Sequence, residues 1–127
     1  MILAESTDRR QQLGREGEAV AEAHLVGQGW QILARRFRLR FGELDLIAQR
    51  GRMVLIVEVK TRSGERYGRP SEAVTPSKQR RMARLALAFL QRSRRLEYRV
   101  RFDVIEVRLR DGEPPELNQI EDAFRPG

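Results

Sequence analysis

Residues 53–61 read MVLIVEVKT, and this stretch constrains the fold more than any other. An apolar run this short, rich in β-branched residues and opened by a turn signal, is a buried strand. Arg50-Gly51 precedes it and reads as a tight hairpin turn, so residues 43–49, ELDLIAQ, supply the antiparallel partner. Two charges then interrupt the run at its end, Glu58 and Lys60. They are two residues apart, so both point to the same face of the strand.

The rest of the chain supplies the layers around this hairpin. Helical spacing of Leu13, Gly17, Val20, Ala21 and His24 predicts a first helix over 8–28, with Thr7 or Asp8 as its cap and Gly27 and Gly29 as its end. Residues 30–40, WQILARRFRLR, suit an edge strand with its arginines outward. Residues 62–74 have loop composition. Thr75-Pro76 starts a second helix that runs to about 93, with Met82, Leu85, Ala86, Phe89 and Leu90 as its apolar stripe. Residues 98–109 form another strand, whose apolar alternation changes phase midway and so calls for a bulge or for burial on both faces. From about residue 111 the tail is expected to pack on the surface. The order helix, three strands, helix, strand predicts an α/β domain with one mixed sheet flanked by helices, spanning residues 1–127.

A chain of 127 residues can bury a modest single core. No apolar run approaches a membrane span, and the first residues, MILAESTDRR, lack the pattern of a signal peptide. There is no cysteine, hence no disulfide and no thiolate metal site. The cytoplasm is the expected location. The net charge of +7 is unevenly placed: residues 31–102 hold 19 basic side chains against six acidic ones, between acidic ends. A basic centre suggests a polyanion-binding face, although a solvated, solubilising surface accounts for it too. Of the 25 basic residues only Lys60 and Lys78 are lysine. Lysine offers a compact point charge where arginine offers a planar fork.

If Gln49 pairs with Arg52 across the turn, Ile56 lies opposite Asp45 and Glu58 opposite Glu43. Three carboxylates, Glu43, Asp45 and Glu58, then share one face with Lys60. One ammonium cannot neutralise three carboxylates, and a hard divalent cation such as Mg²⁺ can take one or two of them together with substrate phosphate. That is the kit for metal-assisted phosphodiester hydrolysis. A bare Glu-x-Lys is short and common, however, and a strand-end ion pair with Asp45 at the solvent edge reads the same residues without chemistry.

The stretch GELDLIAQRGRMVLIVEVKTRS, 42–63, resembles the YraN family of bacterial proteins, and the likeness continues through residues 14–25, 71–82, 101–107 and 120–124. That family is similar to the PD-(D/E)XK nuclease superfamily and to archaeal Holliday-junction resolvases. The resemblance implies a restriction-endonuclease-like αβββαβ core. It implies Asp45, Glu58 and Lys60 as the catalytic set, with Asp45, Glu58, the main-chain carbonyl of Val59 and Glu18 as ligands of Mg²⁺ or Mn²⁺. The proline of the superfamily's name is replaced here by Leu44.

Other residues have two readings each. Glu43 lies nearer the strand start and suits a supporting or structural role. Gln79 and Lys78 open the second helix, as exposed capping residues or, for Gln79, as a support of the site. Arg62, Arg66 and Arg69 after the Glu-x-Lys strand, and Lys78, Arg80, Arg81 and Arg84 on the helix, are candidates for phosphate contacts, which position nucleic acid without reading sequence. His24 suits a packed helix position better than a general base. Tyr67 and Trp30 could stack on a base or simply pack. The readings in contention are a Mg²⁺-dependent DNA endonuclease acting on branched or structured DNA, a non-catalytic nucleic-acid-binding module, and a protein-interaction scaffold. A homodimer would suit cleavage of two strands.

Overall fold

The computed structural model describes residues 2–64 and 74–126, with side chains from residue 9 onward. Helix α1 spans Ile2–Gly27 and helix α2 spans Pro76–Arg92. The strands are β1 (Gln31–Leu39), β2 (Gly42–Arg50), β3 (Met53–Ser63), β4 (Arg99–Leu109) and β5 (Glu116–Ile120). They form one sheet in the order β1-β2-β3-β4-β5, in which the β3–β4 pair is parallel and the other pairs are antiparallel. A parallel pair needs a crossover, and α2 provides it. The chain is therefore α/β with a single open mixed sheet and a helix on each face, consistent with a restriction-endonuclease-like core.

Two hydrophobic clusters hold the layers. On one face Leu44, Ile47, Val54 and Ile56 meet Met82, Leu85 and Phe89 of α2. On the other Leu46, Leu55, Val57, Ile105 and Val107 meet Ala21 and Leu25 of α1. Strand β3 supplies both clusters in alternation, which is why its sequence is continuously apolar rather than amphipathic.

Several expectations shift. Helix α1 starts earlier than residue 8; residues 2–8 contain neither glycine nor proline to stop it. The β2–β3 turn is Gly51-Arg52, with Arg50 paired to Met53 and Ile47 to Ile56. Gly51 takes the turn's left-handed position at φ 61°, where a side chain is disfavoured. The register thus moves by two residues, which preserves which side chains share a face. Strand β3 continues through Arg62, which is not in a loop. The phase change in β4 is burial on both faces: Phe102 to Val107 are all buried and the ladder to β3 runs unbroken from Arg99 to Leu109. The tail is more than a surface segment, because residues 116–120 add β5 antiparallel to β4. Its end is pinned where the Ala123 N–H donates to the Phe102 carbonyl and Phe124 stacks on Phe102.

Helix α1 approaches β3 at one glycine. A Cβ on Gly17 would overlap the side chain of Thr61. Gly17→Ala gains helix propensity, about 1 kcal/mol, but must displace Thr61, and overpacking of this kind costs about 1–3 kcal/mol. The expected net result is a fall in Tm of about 2–6 °C, read by calorimetry. Thr61→Gly in the same chain should recover part of that loss, and an unchanged or higher Tm for Gly17→Ala alone would contradict this packing.

Candidate active site

The site forms where the sheet splits. The β2–β3 ladder ends at Leu46↔Val57. Beyond it Asp45 replaces the missing ladder acceptor: its Oδ2 accepts the Val59 N–H at 2.8 Å. Strand β2 also rotates here, since Leu44 packs on the α2 side and Leu46 on the α1 side. Its neighbour β1 turns with it. Arg36, flanked by the pairs Arg35↔Leu46 and Phe37↔Leu44, has φ 48°, a conformation that strains a residue with a Cβ.

This rotation sorts the carboxylates. Glu43 does not share the Glu58–Lys60 face, contrary to strict alternation. It turns to the α1 side, forms an ion pair with Arg38 at 2.6 Å, and adds a repulsive charge near Glu18. Glu18, one residue beyond the Gly17 contact, pairs with Arg36 at 2.9 Å. Burial nevertheless raises its pKa, and Glu43 adds to the rise against the pull of Arg36. Glu18, Asp45, Glu58 and Thr61 line a common cavity of about 290 Å³, together with Gly14 and Arg10.

Glu58 is the buried member, 6% exposed where the apolar run of β3 ends. An unpaired charge there would be costly. It has two partners: Lys78 Nζ donates to Oε1 at 2.6 Å and Lys60 Nζ stands 3.5 Å away. Lys78, expected as an outward phosphate contact, instead turns into the site from the first turn of α2. Asp45 has one direct partner among the described residues, the Val59 N–H. Burial, and then the charge of Glu58, push its carboxyl up to about 7. A carboxyl pushed toward neutrality beside a second carboxylate that itself carries two ammonium groups is an arrangement common at functional sites.

The donors suit a hard divalent cation. Asp45 and Glu58 offer carboxylate oxygens, and Mg²⁺ needs only one or two of these, completing its shell with water and phosphate. Among the described residues no three acidic or imidazole groups stand together as a ready cage. A cation would thus rest on Asp45 and Glu58, with Glu18 further along the same cavity.

The remaining candidates divide clearly. Arg80, Arg81 and Arg84 are placed along α2, and Arg80 and Arg81 face solvent there. Arg81 lies along Gly42 and Arg84 covers the Phe41 ring at 4.4 Å, so the arginines of α2 reach the β1–β2 turn. Arg62 is half-buried on β3, its Nε without a hydrogen-bond partner among the described residues. The Gln79 side-chain amide donates back to the Val74 carbonyl at 3.3 Å. His24 packs, hydrogen-bonded to Gln119 at 2.9 Å. Trp30 is buried beneath the Arg50 guanidinium at 4.2 Å, a packed ring rather than a stacking platform for a base. Arg66, Arg69 and Tyr67 lie outside the described residues. Sequence reasoning overlooks Glu106, which is buried and stands beside Lys60 in the β3–β4 register. Its mismatch with the apolar β4 strand is the signal that could have found it.

Comparison with known proteins agrees with the extent of this core. Residues 17–107 match the model described as uncharacterised protein family UPF0102. A UPF0102 protein of Rhodococcus opacus is 47% identical over 112 residues, covering 88% of this chain and 95% of the relative. One from Geotalea uraniireducens is 44% identical over 112 residues, 88% of each chain. One from Symbiobacterium thermophilum is 53% identical over 95 residues, 75% of this chain and 80% of its own. Among the described residues no helix is long and apolar enough to cross a membrane.

Proposed function

This chain belongs to the UPF0102 (YraN) family, and we propose that it is a divalent-metal-dependent endonuclease that hydrolyses phosphodiester bonds in DNA, including branched or structured DNA. The observation that carries the reading is the convergence of Asp45, Glu58 and Lys60 where β2 and β3 part, with Glu58 buried and Asp45 shifted to about 7. Asp45 and Glu58 are the proposed holders of Mg²⁺ or Mn²⁺, with the Val59 carbonyl and Glu18 as further ligands. When bound, such a cation neutralises charge on the phosphoryl oxygen and lowers the pKa of a coordinated water. Lys60 supplies an ammonium 3.5 Å from Glu58, suited to stabilising charge that develops on a phosphate oxygen. The arginines of α2 contact backbone phosphates.

Incubation of the protein with Mg²⁺ or Mn²⁺ and a panel of linear duplex, single-stranded, flapped and four-way-junction DNA tests this directly. Cleavage that stops on adding a chelator is expected. Salt-sensitive binding without cleavage of any substrate would replace the reading with a non-catalytic binding module, an alternative favoured by the two lysines that already neutralise Glu58.

The DNA face has its own test. Arg81→Gln with Arg84→Gln should weaken binding to every sequence by a similar factor. Removing one phosphate-binding arginine should lower the slope of log affinity against log salt by about 1. Fluorescence anisotropy across a salt series measures both. An unchanged slope would move the DNA to another face.

A further inference from the structure

We infer that Lys78 is a working residue of the site: a displaceable counter-ion that holds Glu58 in the cation-free protein and turns to the phosphate of bound DNA. The inference rests on the endonuclease reading and adds a residue and a coupling to it. Three observations carry it.

The chain has 25 basic residues and only two lysines, yet both lysines lie on one buried carboxylate, at 2.6 and 3.5 Å. The other carboxylates that form ion pairs among the described residues take arginine, Glu18, Glu22, Glu43, Asp103 and Asp122 among them. Arginine grips a carboxylate with a rigid fork, whereas lysine holds it as a mobile point charge on a flexible stem. Lysine is the choice where the grip must be released.

Lys78 also sits against the preference of its helix. Thr75 caps α2, its side chain accepting the Lys78 N–H at 3.1 Å, and Pro76 opens the first turn. Lys78 therefore occupies the third helical position, where a glutamate or glutamine would complete a capping box and where the helix dipole favours an acid. The first turn of α2 contains no acid. A local rule broken at a site points to a use there.

The geometry, finally, permits the motion. The backbone of Lys78 is fixed by the cap, while its side chain remains 27% exposed beside the buried Glu58 carboxylate. The ammonium can leave Glu58 for a phosphate without any movement of α2. A divalent cation competes with Lys78 for Glu58, and a DNA phosphate gives Lys78 another partner. The two ligands therefore favour each other's binding by the same factor.

The test is Mn²⁺ affinity, measured by calorimetry on the full chain without DNA. Lys78→Met, neutral and of similar length, should bind Mn²⁺ about tenfold tighter than wild type. Lys78→Arg should bind it no tighter. With Lys60→Ala added to each protein to slow turnover, Mn²⁺ should tighten DNA binding about tenfold more when Lys78 is present than in Lys78→Met. Equal Mn²⁺ affinity in all three proteins, with only a lower Tm for Lys78→Met, would make Lys78 a structural tether and overturn the inference. Cleavage by the wild type with that same result would overturn the inference alone. A wild type that binds no Mn²⁺ and cuts nothing would remove the endonuclease reading as well.

Discussion

Lys60→Ala is expected to cut DNA about 100- to 1,000-fold more slowly than the wild type, the loss typical of removing one charge-stabilising donor from a transition state. Stability should hardly change. Among the described residues Lys60 pairs with Glu58, and Lys78 stays on that carboxylate at 2.6 Å when Lys60 is gone, so no buried charge is orphaned. DNA affinity in the presence of chelator should also hold, because the arginines of α2 are unaltered. Lys60→Arg should restore little of the rate: the guanidinium is broader, and its fork would compete with Lys78 for Glu58. Single-turnover cleavage with Mn²⁺, anisotropy in chelator and a thermal melt separate these effects. A Lys60→Ala protein that cuts at the wild-type rate would remove Lys60 from the chemistry, and one that melts far below the wild type would make its role structural.

The parts of this site that a linear reading can find are those set by strand periodicity. Glu58 and Lys60 share a face because two residues separate them, whatever β3 pairs with. Asp45 stays next to Glu58 although the observed hairpin register differs by two, since an even shift preserves faces. Periodicity fails where a strand stops being regular. Alternation misplaces Glu43 because β2 rotates at Asp45, and that rotation is shared with Arg36 on the neighbouring strand, a long-range event with no local signature. Lys78 escapes a linear reading for a different reason. Twenty residues separate it from Glu58, and only the packing of α2 on the sheet brings their side chains together. The fifth strand is hidden because residues 116–120, ELNQI, have little β propensity. Pairing to the buried β4, reinforced by Asn118 donating to Glu106 and Gln119 to Asp103, makes them a strand.

Asp45→Asn should abolish cleavage and yet stabilise the cation-free protein above neutral pH. In the folded chain the Asp45 carboxyl is raised from an ordinary 3.8 to about 7, first by burial and then by Glu58. A raised carboxyl binds its proton more tightly when folded. Its contribution to stability is complete below about pH 4 and is lost as pH climbs through about 7. Asparagine has no proton to lose and its side-chain oxygen can still accept the Val59 N–H that Asp45 Oδ2 accepts at 2.8 Å. The two proteins should therefore unfold alike near pH 4. The variant should then gain with rising pH, by roughly a few kcal/mol once Asp45 is ionised. Urea unfolding in chelator across this range measures the difference, and a variant less stable than wild type at about pH 8 would contradict it. Mn²⁺ should reverse the order at that pH, because a cation that binds the folded wild type adds stability with concentration and the variant has lost a charged ligand. The destabilising carboxylate is then retained for binding, and a protein that gains stability on losing Asp45 and forfeits its response to Mn²⁺ in the same step would tie the strain of this site to its chemistry.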